Sequence, residues 1–172
     1  MMVARKRALI ETFQRKRLDR NRIFGVAVAE SEELLLIHQE FDFLFDGFVV
    51  VRQRDVTRRL ASEANAHCMR LMRQERLWSP VPRWVRSLPL DGWQALLGAL
   101  VGRIVIIENE SRNDFFIGPL LGVDARRARI RWFDGCGRLG AVEHVRLDRV
   151  TAVRIATRYA EIHGRHLSEP TT

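Results

Sequence analysis

The chain has 172 residues, a formal net charge of +8 and an apolar content of 47%. This length suits one ordinary domain or two small ones, and the apolar content is sufficient for a packed core. The sequence has no run of roughly 18 apolar residues, which a membrane span requires, and no CxxC pair that would suggest a structural zinc site. No apolar stretch follows the basic N-terminus, which argues against a secretory signal, so a cytoplasmic protein is expected.

Arginine supplies nearly all of the positive charge. Of 29 basic residues only Lys6 and Lys16 are lysine. A pI of about 11 suits a surface that binds nucleic acid or another polyanion, although coding bias also produces such an excess of arginine. The basic stretch at residues 15–22 is also typical of a solvent-exposed turn between strands. The candidate polyanion-binding residues are Arg15, Lys16, Arg17, Arg20, Arg22, Arg126, Arg127, Arg129 and Arg131.

The first half of the chain is predicted to consist of strands followed by a helix. Residues 8–13 fit a strand or a helix, and the repeat described below favours a strand. Further strands are predicted at 23–29, 34–39 and 48–52. The phenylalanines at positions 41–48 flank a turn and favour core or domain-interface positions over a stacking platform for bases. An apolar stripe predicts a helix over 58–74.

A proline-rich connector follows at residues 77–90. Its three prolines stiffen it, and Trp78 and Trp84 suggest that it is docked rather than loose. These two tryptophans form a candidate interaction surface.

The second half is predicted to begin with a helix and to continue as strands. Asp91 suits the N-cap of this helix, and Gln94 completes a capping-box pattern. The strands are predicted at 103–108, 115–123, 128–133, 144–147 and 150–155. A short closing helix near Tyr159 and a disordered tail from Ser168 complete the chain.

The two halves share landmarks in the same order. The segment Phe24-Gly25-Val26 corresponds to Ile117-Gly118-Pro119, and Arg54-Asp55-Val56-Thr57 corresponds to Asp148-Arg149-Val150-Thr151. This spacing indicates two copies of one small domain rather than a solenoid. We therefore divide the chain into a diverged N-terminal barrel with a C-terminal helix (1–76), the connector (77–90) and a C-terminal barrel with an N-terminal helix (91–172).

The second half resembles the Sm-like family. Leu100 to Val105 is similar to the helix-to-strand entry of that family, and Gly118-x-Leu120-x-x-Val123-Asp124 is similar to its first motif. The resemblance implies a mainly β fold of two tandem Sm-like or SH3-like small barrels, each with about five short bent strands and a flanking helix. The chain also resembles bacterial proteins with tandem barrels of this type. At the position of the family's base-binding asparagine this chain has Ala128, and Val145-Arg146-Leu147 lacks the glycine of the second motif, so the resemblance does not extend to RNA binding.

No catalytic motif appears in the sequence. It lacks a P-loop, GxGxxG and GxSxG, and Gly135-Cys136-Gly137 is typical of a turn. His163 and His166 have no identifiable third metal ligand. We expect no cofactor, no metal and no enzymatic activity.

The expected function is that of a noncatalytic scaffold or protein-interaction protein that uses barrel edges and the aromatic connector. The alternative is an RNA- or DNA-binding protein with an arginine-rich barrel surface. We expect a monomer or dimer rather than a ring, and no membrane partner.

Overall fold

The structure is a computed structural model that describes residues 9–15, 18 and 22–169. Of the candidate site residues, Lys16, Arg17 and Arg20 lie outside the described residues. No described helix is long and apolar enough to cross a membrane.

Ten antiparallel strands form one continuous sheet in the described part of the chain. They are β1 (Ile10–Gln14), β2 (Ile23–Glu30), β3 (Leu34–Phe41), β4 (Leu44–Arg52), β5 (Arg58–Leu60), β6 (Ile104–Asn109), β7 (Asp114–Val123), β8 (Arg127–Phe133), β9 (Leu139–Arg146) and β10 (Ala152–Ile155). Their order is β5-β1-β2-β3-β4-β10-β6-β7-β8-β9, so β5 and β9 are the two ends. The mainly β class is confirmed. Two tandem barrels are not confirmed, because the sheet is open.

Short helices connect or cover the strands. The α-helices are α1 (Glu63–Gln74), α2 (Arg83–Arg86), α3 (Trp93–Ala99) and α4 (Arg158–Gly164), and the 3₁₀ helices are Gln53–Asp55, Glu110–Arg112 and Leu147–Arg149. The residues at positions 58–60 pair with β1 as a strand instead of starting the predicted helix, and Ser62 caps α1 by accepting a hydrogen bond from the Asn65 N–H. The predicted cap of α3 was also wrong, because Gly92 and not Asp91 is its N-cap.

The same pairing scheme occurs in both halves. Four successive strands pair in chain order, and the fifth returns to pair with the first: β5 with β1, and β10 with β6. The residue before the fifth strand makes the same contact in both halves. The Thr57 hydroxyl donates to the Gln14 carbonyl at 3.1 Å, and the Thr151 hydroxyl donates to the Glu108 carbonyl at 3.1 Å. We call residues 10–60 the first repeat and residues 104–155 the second.

The two repeats join through β4 and β10. Phe48 lies opposite Ile155, and Val51 lies opposite Ala152, in a four-residue antiparallel ladder. The outer edge of the fourth strand of the first repeat is thus filled by the fifth strand of the second. Because main-chain hydrogen bonds continue across the junction, the halves form one sheet.

The strands β3 and β4 are buried on both faces. Leu36 and Val50 belong to the larger core, which also contains α3 and most of the second repeat. Leu35 and Val49, on the opposite face, belong to a smaller core of the first repeat. Their continuous apolar runs are typical of strands covered on both sides.

A buried ion pair also clamps the two repeats together. Arg15, at the end of β1, is 1% exposed, and its guanidinium donates two hydrogen bonds to the Glu110 carboxylate at 2.6 and 2.9 Å. Bidentate pairs of this kind fix geometry as well as adding energy.

We expect Glu110→Gln to lower the free energy of unfolding by about 2 kcal/mol, because a charge-assisted pair is removed from a buried guanidinium. Urea denaturation measures this change. Asp114→Asn, four residues away at an exposed carboxylate, is the matched control and should cost less than about 0.5 kcal/mol. Equal losses for the two variants would contradict the clamp.

Candidate functional site

The structure places the described members of the predicted basic set at three locations. Arg15 lies in the interior and pairs with Glu110, so it does not belong to the predicted polyanion surface. Arg22 is exposed at the rim of a cavity between the repeats. The four second-half arginines, in contrast, gather at β8: Arg127, Arg129 and Arg131 lie at alternate positions of this strand, and Arg126 precedes it.

The alternation of β8 places its arginines on the face away from the core. Ala128 and Ile130 are fully buried, whereas Arg127 and Arg129 are exposed. Across the ladder, Arg127 lies directly opposite Arg146, Arg129 opposite His144, and Arg131 opposite Val142. We call this surface the β8–β9 face: Arg127, Arg129, Arg131, Val142, His144 and Arg146.

Residues of like charge face each other on the β8–β9 face. Direct opposition of like charges destabilises an antiparallel pair, so the Arg127–Arg146 pair carries a cost in the isolated chain. Exposed carboxylates offset part of this charge: Glu169 pairs with Arg131 at 2.7 Å, and Asp148 pairs with Arg146. Pairs of this exposure are weak and are easily displaced. The face is therefore suited to an anionic partner.

The turn before β8 adds a small cavity at one end of this face. Its volume is about 410 Å³, and Arg126, Arg127 and Arg146 are among its lining residues. The backbone N–H groups of Arg126 and Arg127 donate to the Asp124 carboxylate at 2.7 and 2.8 Å, and these hydrogen bonds lower the pKa of Asp124. Asp124 thus stays ionised and fixes the turn that presents Arg126.

Trp132 is a functional candidate that the sequence interpretation missed. Its indole lies against Gly140, where an added Cβ would meet the ring at 2.3 Å, and its side chain is 37% exposed. Aromatic side chains with an exposed surface can stack on the bases of single-stranded nucleic acid. The available signal was its position directly after the alternating arginines of β8.

No protein-family model matches the chain, and neither a curated protein nor a solved structure matches it.

The connector tryptophans are docked, as their sequence context predicts. Trp78 packs edge-on against Phe45, with ring centroids 5.2 Å apart, and Arg73 lies over its ring. Trp84 packs against the larger core, and the Arg103 guanidinium lies 3.9 Å from its ring centroid. Both rings are only partly exposed. Their observed contacts are intramolecular, and a role in binding partners stays a prediction.

A second concave surface lies between the repeats. Its volume is about 670 Å³, and its rim includes Phe41 and Phe115, which are 74% and 67% exposed. The expected preference of these phenylalanines for core or interface positions holds for Phe48, which is buried, whereas Phe41 and Phe43 are exposed. The polar lining is largely self-paired, since the Arg154 guanidinium binds Glu108 at 2.7 Å and also contacts Gln39.

The outer edge of β9 has no neighbouring strand among the described residues. Within them β9 ends the sheet and pairs with β8, and the Leu139 N–H at its start also donates to the Ser168 carbonyl. Ser168 and Glu169, predicted to be disordered, are thus placed against the sheet. Beyond that contact, Val142 is 43% exposed, and His144 and Arg146 are also exposed.

The histidine and the cysteine that the sequence analysis considered for chemistry, His163 and Cys136, make structural contacts. No group of three or more His, Cys, Asp or Glu side chains among the described residues could hold a metal ion. His163 stacks between Tyr159 and Phe133, at centroid distances of 4.4 and 5.4 Å. Cys136 lies in a turn whose N–H groups are held by the Asp134 carboxylate. These residues have packing and turn-forming contacts.

Proposed function

We propose that this chain is a noncatalytic protein-interaction protein whose partner binds at the free edge of β9. One observation carries the proposal: the edge of β4 is filled by β10, whereas no described strand pairs with the corresponding edge of β9. Arg52 ends β4 and Arg146 ends β9, and each is followed by a three-residue 3₁₀ helix. Val51 therefore corresponds to Val145, and Phe48 to Val142. Val51 and Val145 are both buried, at 0% and 6% exposure. Phe48 is buried as well, at 4%, whereas its counterpart Val142 is 43% exposed.

The same comparison supports a finer description of the fold, as two tandem Sm-like units. The repeated strand order favours it, as does the glycine of the second strand in each repeat. An added Cβ at Gly25 would lie 2.2 Å from the His38 carbonyl oxygen, and one at Gly118 would lie 2.0 Å from the Arg131 carbonyl oxygen. In this description the connection through β4 and β10 joins the units, and β9 keeps the edge that would receive a third.

Site-specific photo-cross-linking tests the proposed function. A benzophenone side chain at Val142 should cross-link to a protein in cells that express the chain, whereas the same group at Arg70, exposed on α1, should not. A partner captured equally from both positions, or from neither, would overturn the proposal.

Binding of a polyanion is a second candidate function. The observation that favours it is the combination of exposed Arg127 and Arg129 with the half-exposed indole of Trp132. Alternate residues of a strand are about 6.6 Å apart, so these guanidinium groups are arranged along a line, and Trp132 follows them on the same strand, on the opposite face by the same alternation. Single-stranded RNA or DNA has the matching chemistry, with phosphates for arginine and bases for tryptophan.

We expect Arg129→Ala to weaken binding of a single-stranded oligonucleotide and to reduce the slope of log K against log[salt] by about 0.7, because one phosphate contact is lost. Trp132→Ala should weaken binding by about 1–3 kcal/mol with an unchanged slope, because stacking is not ionic. Fluorescence anisotropy at several salt concentrations measures both effects. Arg83→Ala, on α2, is the control. No binding at low salt would remove this candidate function.

A further inference from the structure

The edge residues of β9 differ from the corresponding residues of β4, and these differences indicate the chemistry of the partner. At the junction of the repeats, the residues that meet are Phe48, Val49, Val50 and Val51 on β4 and Ala152, Val153, Arg154 and Ile155 on β10. All but Arg154 are apolar, which is typical of a permanent, buried junction. The corresponding residues of β9 are Val142, Glu143, His144 and Val145, so the free edge keeps apolar residues at two positions, Val142 and Val145, and has polar residues at the other two.

We infer that β9 accepts an extended segment of another protein in which acidic and apolar residues alternate, added to the sheet as an antiparallel strand. This inference rests on the proposed function and specifies its partner. Successive residues of an added strand face opposite sides of the sheet. One set lies beside His144 and Arg146 on the β8–β9 face, and the other lies on the side of Glu143 and Val145.

The positive charge of the β8–β9 face favours acidic residues at the positions of the added strand that lie beside His144 and Arg146. An acidic residue beside His144 also lies near Arg129, which is opposite His144 on β8. Cross-strand pairs of opposite charge contribute about 0.2–1 kcal/mol each, and they relieve the opposition of Arg127 and Arg146. An apolar residue beside Val145 extends the core, in which Val145 is 6% exposed. Main-chain hydrogen bonds give the affinity, and the alternating side chains give the specificity.

A second copy of this chain is a poor occupant of the same edge. By the repeat alignment, β5 would be the strand offered, and Arg59 would take the place that Val153 has at the junction. Arg59 would then lie directly opposite His144, beside Arg129. Its guanidinium is already held by Glu11 at 2.8 Å and by Glu30 at 2.6 Å. The Leu60 carbonyl, moreover, accepts a hydrogen bond from the Asn65 side chain of the same chain. Pairing of β5 with β9 of a second copy is disfavoured, because Arg59 would lie near Arg129 and because the Arg59 guanidinium and the Leu60 carbonyl already have partners within the chain.

The C-terminal segment limits where the added strand can begin. Ser168 forms a parallel bridge to Arg138, and the Leu139 N–H donates to the Ser168 carbonyl at 2.8 Å. The Gly140 carbonyl also accepts a hydrogen bond from the Arg131 guanidinium at 3.2 Å, so the available edge is the part of β9 from Ala141 to Arg146. Glu169, which binds Arg131 at the border of this edge, is an internal example of a carboxylate on the β8–β9 face.

Three short fluorescent peptides test the inference on the full chain. The first alternates glutamate with valine, the second alternates lysine with valine, and the third is the first with N-methyl groups on alternate residues, which removes main-chain donors but not charge. The glutamate peptide should bind at least tenfold more tightly than either of the others. A double variant, Arg129→Glu with His144→Glu, should weaken its binding at least tenfold, whereas Arg70→Glu with Arg83→Glu should not.

Each other outcome has a defined meaning. Equal binding of the N-methylated peptide would contradict strand addition, and equal binding of the lysine peptide would contradict the acidic preference. Concentration-dependent oligomers of the chain in light scattering, abolished by the double variant, would assign the edge to a second copy and overturn the inference. Failure of the glutamate peptide with retained cross-linking at Val142 would overturn the inference alone, whereas loss of both would also overturn the proposed function.

Discussion

Gly118→Ala should lower the free energy of unfolding by more than about 3 kcal/mol, and Gly25→Ala should have a similar effect. In each case the new Cβ meets a backbone carbonyl oxygen of the next strand, at 2.0 Å for Gly118 and 2.2 Å for Gly25. A backbone group cannot rotate away as a flexible side chain can, so the two strands must separate or the sheet must bend differently. Thermal or urea unfolding measures the loss.

The control is Gly135→Ala, where an added Cβ meets nothing within 4 Å. This variant should remain within about 0.5 kcal/mol of the wild type. If Gly118→Ala were tolerated while Gly25→Ala was not, the two glycines would not have equivalent roles, and the structural correspondence of the repeats would fail at this position.

The second large effect is expected on acidification. His38 is 5% exposed and stacks between Phe45 and Phe48, at centroid distances of 4.0 and 4.4 Å. Burial lowers the pKa of His38 from 6.5 to about 4, because an apolar site disfavours the imidazolium. Between pH 6.5 and about 4, His38 is therefore mostly protonated in the unfolded state and mostly neutral in the folded state. Its contribution to stability is present above pH 6.5 and is lost as the pH falls from 6.5 towards 4.

The variant His38→Phe removes this dependence while keeping an aromatic ring in the stack. Between pH 7 and pH 4 the wild type should lose about 3 kcal/mol more of its unfolding free energy than the variant does, corresponding to a shift of about two and a half pKa units. Urea denaturation at a series of pH values measures both profiles. Parallel profiles would show that His38 is not the group responsible.

Local pattern was sufficient to predict most strands but not their complete pairing. The runs at β3, β4 and β6 are apolar and β-branched, and the repeated landmarks correctly favoured a strand over a helix at β1. The strand β5 was missed because Arg58-Arg59-Leu60 has no strand pattern of its own. Its conformation is fixed by pairing with Thr12 to Gln14, far away in the sequence.

The pairing of β4 with β10 could not be predicted from the sequence either, because pairing between the repeats depends on which strand edges meet and not on local propensity. The expectation of barrel edges as interaction surfaces stays a prediction, and it did not identify which edge is already occupied. Burial of Arg15 could not be predicted either, since its partner Glu110 is 95 positions away in the sequence. For Trp132, the alternation of β8 predicted a half-buried strand but not the glycine on the neighbouring strand that supports the indole.

The observed differences between equivalent strands carry the functional argument. β4 and β9 occupy the same place in the pairing order of their halves. The edge of β4 is apolar and filled by β10, whereas the edge of β9 carries His144 and Arg146 and pairs with no other described strand besides β8. A charged, exposed edge resists nonspecific pairing and accepts a strand of complementary pattern.

Amide hydrogen exchange, followed by NMR, tests this central claim most directly. In the free chain, amides of residues 48–51 should be strongly protected, and outward-facing amides among residues 141–146 should exchange fast. Addition of the glutamate–valine peptide should increase protection of those β9 amides at least tenfold and leave residues 58–60 of β5 unchanged. Protection that increases at β5, or that does not change at β9 when the peptide is bound, would contradict the account.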